Sequence, residues 1–83
     1  MAEFQLKFFA SLKEQLGQEA LTLSTDEVPN TAALMPYLKA AHPSWAEHLD
    51  TSLLIALNHE VVFADMPIQK GDEVALLPPM TGG

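Results

Sequence analysis

The stretch Glu3-Phe4-Gln5-Leu6-Lys7-Phe8 alternates polar and apolar residues with a period of two, the spacing of a strand with one buried face. The alternation runs on into Phe9. Ser11-Leu12-Lys13-Glu14 then offers an S-x-x-E capping box, with Leu12 and Leu16 one turn apart and Gly17 as a stop. This predicts a short helix. Ala20 to Ser24 alternates again and predicts a second strand. Asn30 or Thr31 is placed to cap a longer helix whose Leu34, Leu38 and Ala41 share one face. Pro36 lies inside that helix and should kink it or delay its regular start. His42-Pro43 should end it, because a residue before proline avoids the α region. Ser44-Trp45-Ala46-Glu47 can cap one further helical turn.

The remainder reads as strand. Leu53-Leu54-Ile55-Ala56-Leu57 is a short apolar run, Asn58-His59-Glu60 is a hairpin turn, and Val61-Val62-Phe63 returns. Lys70-Gly71-Asp72 is a second turn, leading into the last strand, Glu73-Val74-Ala75-Leu76-Leu77. The predicted order is strand, short helix, strand, helix, then three strands. Strands gathered around one main helix suggest an α+β roll with a mixed sheet, for which the β-grasp is the natural candidate. Its first and last strands would pair in parallel at the sheet centre. Residues 1–77 form this domain, and residues 78–83 form a flexible C-terminal tail.

Composition narrows the function. Eleven acids against four cations give a net charge of −7, and every cation is a lysine. An acidic chain without arginine lacks the cationic footprint of a nucleic-acid binder and the guanidinium fork favoured at phosphate sites. It suits instead a basic surface on another protein. There is no cysteine, so neither disulfides nor thiolate metal sites supplement a core that is modest at this length. No stretch approaches the ~20 apolar residues that span a bilayer. The charged opening Met1-Ala2-Glu3-Phe4-Gln5-Leu6-Lys7 is unlike a signal peptide. A cytoplasmic protein free of membrane is expected.

Candidate chemistry is sparse until the end of the chain. His42, His48 and His59 stand far apart, outside any HxH or HExxH pattern, so no metal site is expected. No G-x-S-x-G elbow and no glycine-rich phosphate loop occurs, and the neighbouring acids Asp26-Glu27 and Asp72-Glu73 read as solvated turn residues. The chain is not expected to be an enzyme by itself. The tail differs: Pro78-Pro79-Met80-Thr81-Gly82-Gly83. At ordinary glycine usage, two terminal glycines arise by chance in about 1 chain in 200. Here they follow a diproline that biases the chain to polyproline II, so six residues can project about 18 Å. Glycine without a Cβ passes a narrow channel and adopts any φ and ψ imposed there. A frayed terminus is the plain alternative.

These residues carry a resemblance. Leu6-Lys7-Phe8-Phe9-Ala10-Ser11-Leu12-Lys13-Glu14-Gln15-Leu16-Gly17 is similar to the "FFA…E..G" opening of the molybdopterin synthase small subunits, and Gly71-Asp72-Glu73-Val74-Ala75-Leu76-Leu77-Pro78-Pro79-Met80-Thr81-Gly82-Gly83 resembles their "GDEVA..PPV.GG" ending. Asn58 with the hydrophobics after it also fits, and Lys13 departs from the arginine many relatives carry. The resemblance covers essentially the whole chain. It implies a ubiquitin-like sulfur carrier of molybdenum cofactor biosynthesis. An adenylating enzyme of the ubiquitin-activating type would use Mg-ATP to convert the Gly83 carboxylate to an acyl-adenylate, and sulfur would replace AMP to leave a thiocarboxylate. The loaded tail would enter the large subunit of a heterotetrameric synthase and pass sulfur to cyclic pyranopterin monophosphate. No cofactor is implied on this chain itself.

Strand alternation points independently to a docking surface. Phe4, Leu6 and Phe8 share one face of the first strand, leaving Phe9 opposite; Val74 and Leu76 face the core, leaving Ala75 and Leu77 opposite. Phe9, Ala75 and Leu77, joined by Val61, are therefore expected as exposed apolar residues on the uncovered side of the sheet, and such clusters mark interaction sites. A bulge or register change would instead tuck Phe9 inside. Three other functions fit a Gly-Gly terminus: a sulfur carrier for thiamine thiazole or tRNA thiolation, a modifier conjugated to lysines, and an interaction module with an inert tail.

Overall fold

The computed structural model describes residues 2–49 and 53–78. Along the chain these form β1 (Glu3–Phe8), α1 (Ala10–Leu16), β2 (Ala20–Ser24), a 3-10 turn (Thr31–Ala33), α2 (Leu34–Ala41), a second 3-10 segment (Pro43–His48), β3 (Leu54–Leu57), β4 (Glu60–Val62) and β5 (Glu73–Leu77). The strands make one mixed sheet in the order β2-β1-β5-β3-β4. β1 and β5 run parallel, with Leu6 opposite Val74 and Phe8 opposite Leu76, while the other neighbours are antiparallel. The β-grasp arrangement expected from the element order is present. The register places Phe4, Leu6, Phe8, Val74 and Leu76 together in the core with Leu34 and Leu38 of α2. Each such side chain contributes roughly 1.5–3 kcal/mol by leaving water.

Two local expectations need correction. The capping box does not form: α1 starts at Ala10, its N-cap is Phe9 without a side-chain hydrogen bond, and Ser11 is an exposed residue inside the helix. The backbone explains this. The Phe8 N–H donates to the Glu19 carbonyl (3.0 Å) and the Phe9 N–H to the Leu76 carbonyl (3.3 Å), so the chain is held in the sheet through Phe9. Ala10, at φ 55°, then turns it abruptly into the helix, leaving no extended residue for Ser11 to provide. The second correction is Ala41, which is exposed. α2 stops there, and Trp45 from the following 3-10 segment continues the apolar stripe. Its ring stacks on His42 (3.9 Å between centroids, 11°) and meets Phe8 edge-on (5.7 Å, 82°), both favourable aromatic geometries.

Pro36 has the effect expected of it. Regular α-helix begins only at Leu34, after the 3-10 turn, so Pro36 falls in the first α turn, where its missing N–H removes no helical bond. Asn30 caps the 3-10 turn by accepting the Ala33 N–H (3.0 Å). Asp65 assists from the loop after β4: its Oδ1 accepts the Ala32 N–H (3.0 Å) and the Thr31 hydroxyl (3.4 Å). Thr31 Oγ1 in turn accepts the Met66 N–H (2.9 Å), and Thr31 is buried. Replacing Thr31 with valine keeps the shape and orphans that N–H, so unfolding free energy by urea titration should fall by about 1–3 kcal/mol. A change within ~0.5 kcal/mol would show that water substitutes for the hydroxyl.

Candidate functional site

The face of the sheet away from α2 is organised by the β5 register. Ala75 stands between Lys7 of β1 and Ala56 of β3, and Ala56 stands opposite Val61 of β4. Two methyl groups side by side on central strands leave a depression. Phe9, Val61 and Leu77 wall it, with His59 and Glu73 also lining it, and it encloses about 210 Å³. Phe9 reaches this face because its backbone stays extended (φ −125°, ψ 158°), so the pleat sends its ring opposite to Phe8. Phe9 is 42% exposed whereas Phe8 is 2% exposed, and the bulge that would have tucked Phe9 inside does not occur.

All four residues expected on the uncovered face therefore converge on one hollow. Ala75 departs from expectation in one respect: it is only 7% exposed. A methyl on a central strand is overtopped by the larger side chains of Phe9, Val61 and Leu77 around it, so Ala75 forms the floor rather than a contact ridge. Pro78 follows β5 directly and is half-buried. Pro79, Met80, Thr81, Gly82 and Gly83 lie outside the described residues.

Three lining residues escaped the sequence reading, namely Ala56, His59 and Glu73. Alternation within β5 already puts Glu73 on the face of Ala75 and Leu77, whereas Ala56 could have been found only from cross-strand register. The hairpin turn conceals His59. Asn58 and His59 both have positive φ, 51° and 72°, as a two-residue type I′ turn requires. Asn58 also ties the hairpin to β5: its Oδ1 accepts the Glu73 N–H (2.9 Å), its Nδ2 donates to Asp72 Oδ1 (3.2 Å), and its own N–H donates to the Glu73 carbonyl (2.7 Å). Phe63 is another exposed apolar residue, at 89%, but it borders a separate, smaller depression with Ile55, Val62 and Thr31.

The electrostatics of the hollow are those of a surface. Glu73 is flanked by the Lys7 ammonium (3.3 Å) and the His59 imidazole (3.5 Å). Tyr37, remote from the hollow on α2, has its hydroxyl pushed above its ordinary value by burial and then by Glu27. Among the described residues no three His, Asp or Glu side chains gather to hold a metal ion, and no helix is long and apolar enough to cross a membrane. What the face offers chemically is an apolar hollow at the end of β5 with one carboxylate and one imidazole on its lining.

Known proteins resemble this chain in sequence and fold. The sequence profile of the ThiS family matches residues 6–83. The chain is 42% identical over 77 residues to the molybdopterin synthase sulfur carrier subunit of Escherichia coli (strain K12), covering 92% of this chain and 94% of that one. Its fold superposes on small archaeal modifier protein 1 of Haloferax volcanii with a TM-score of 0.78 at 25% identity, covering 96% of this chain and 100% of the other. It also superposes, with a TM-score of 0.64 at 25% identity and over 98% and 99% of the two chains, on a chain from the complex of subunits 1 and 2 of molybdopterin-converting factor from Helicobacter pylori 26695. A parallel β1–β5 pair at the heart of the sheet and a match running from Leu6 to the terminal Gly83 agree: the chain belongs to the ThiS family, with the ubiquitin-like β-grasp fold.

Proposed function

We propose that this chain is the sulfur carrier of a molybdopterin synthase, loaded and discharged at Gly83 in the cytoplasm. In the first stage, an adenylating enzyme resembling ubiquitin-activating enzymes binds Mg-ATP. A Gly83 carboxylate oxygen attacks the α-phosphorus and pyrophosphate leaves. A sulfur nucleophile then displaces AMP from the acyl carbon, giving the thiocarboxylate. In the second stage the tail enters the large subunit, where its sulfur passes to cyclic pyranopterin monophosphate. The observation that carries this reading is the continuity of the hollow with the tail. Ala75 and Leu77 line the hollow, and Pro78 and the Gly-Gly end follow directly in sequence. A protein seated on the hollow is therefore within reach of the five residues from Pro79 to Gly83, about 16 Å if extended as polyproline II. The 42% identity to a chain named as a sulfur carrier supports the assignment.

The test is the intact mass of the chain after incubation with its cognate adenylating enzyme, Mg-ATP and a sulfur donor. Gain of the sulfur-for-oxygen mass difference, lost again when the large subunit and the pterin are added, is expected. Persistence of the unmodified mass, with an enzyme that adenylates another carrier normally, would overturn the reading. A second reading has one observation in its favour: the superposition on a protein named as a modifier. Attachment of Gly83 to lysines would appear on denaturing gels as larger adducts, which a carrier does not form.

A further inference from the structure

Among the described residues, the large apolar side chains that stand exposed are Phe9, Val61, Phe63 and Met66. Scattered singly over a surface, such residues need no explanation. These are not scattered. Phe9 and Val61 wall the hollow, and Phe63 and Met66 follow Val61 closely along the chain. Phe63 is the extreme case: at 89% exposed, its ring adds almost nothing to the fold.

The sheet register places it. Phe8 of β1 stands opposite Leu76 of β5, Leu76 opposite Ile55 of β3, and Ile55 opposite Val62 of β4. These four make one row across the sheet. β1, β5 and β4 all run the same way, since β1 is parallel to β5 and β3 is antiparallel to both β5 and β4. Phe9, Leu77 and Phe63 are therefore the next residues at the same end of the sheet, and it is there that the chain leaves β5 for Pro78 and the Gly-Gly terminus. β4 is also an edge of the sheet, with a free row of backbone groups on its outer side. Successive residues of this edge line different depressions: Val61 belongs to the hollow, whereas Val62 and Phe63 belong to the one beside Ile55, of about 190 Å³.

A protein that fills the hollow and receives the tail must cover this end of the sheet, where Phe63 stands. A second copy of the chain suits the edge poorly. Its net charge of −7 repels its like, and Glu60 and Asp65 bracket the apolar residues in sequence. We propose that the docking surface extends past the hollow around the β4 edge, with Phe63 as an anchor that the large subunit buries as the tail enters it. This rests on the large subunit being the occupant of the hollow, as proposed above.

The experiment measures the dissociation constant of this chain with the purified large subunit for wild type, Phe63→Ser, Phe63→Leu and Leu77→Glu, with a melting curve for each. Hydrogen–deuterium exchange is followed on the wild-type chain, free and bound. Phe63→Ser should weaken association about tenfold or more, as loss of a buried aromatic anchor does. Phe63→Leu should recover part of that loss, and both should melt as wild type does. Exchange over residues 60–66 should slow in the complex. Wild-type affinity of Phe63→Ser beside a weakened Leu77→Glu, or unchanged exchange over 60–66, would overturn the anchor and leave the hollow as the interface. Wild-type affinity in all three variants, or no association at all, would overturn the occupant and the anchor with it. A dimer of the free chain that Phe63→Ser abolishes, seen by sedimentation, would assign the edge to a second copy and overturn the proposal.

Discussion

Deleting Gly83, or adding one residue after it, should abolish ATP-dependent adenylation by the cognate enzyme and leave the melting temperature unchanged. The buried core found among the described residues ends at Leu76, and Pro79-Met80-Thr81-Gly82-Gly83 carries one apolar side chain of any size beyond its proline. Folding should therefore not register the change. Chemistry should. Activation requires the carboxylate at a fixed depth in another protein, and one residue displaces it by ~3.3 Å. Misplacement near 1 Å already costs about a hundredfold in rate, so a loss beyond ~100-fold is expected. Gly82→Val should also impair the reaction, through channel width, because it adds a branched Cβ where glycine has none. Adenylation of the extended chain at the wild-type rate would remove Gly83 from the mechanism and leave an interaction module with an inert tail.

Leu77→Glu and Phe9→Lys should each weaken association with the large subunit by about a hundredfold or more, the ~3 kcal/mol typical of a strong interface anchor. Both residues wall the hollow, and a charge placed there loses its hydration when a partner covers it. Phe9 already meets water, so lysine at that position should leave the melting curve within a few degrees. Ala75→Glu provides the contrast. Ala75 is buried on a central strand, and a carboxylate there should lower stability as well as binding. If Leu77→Glu and Phe9→Lys bind normally while folded, the hollow is not the interface. If they unfold, the assignment of faces is wrong.

The side of the sheet to which each side chain points was legible from the chain alone. The pleat is a local property of extended backbone, so Phe9 opposite Phe8 and Leu77 opposite Leu76 followed from alternation. Asn30 as a cap, Gly17 as a stop and Pro36 as a delay are likewise decided within a few residues of themselves. What alternation does not contain is the register between strands, which is set by contacts between distant segments. Only that register puts Ala75 beside Ala56, sinking the floor of the hollow, and brings Lys7, Glu73 and His59 from three elements into one row. The same holds for Asp65, whose carboxylate reaches a helix start 33 residues away in sequence. Ser11 shows the converse. Its local motif was sound, but hydrogen bonds from Phe8 to Glu19 and from Phe9 to Leu76 held the preceding chain in the sheet, and those long-range bonds decided where the helix began.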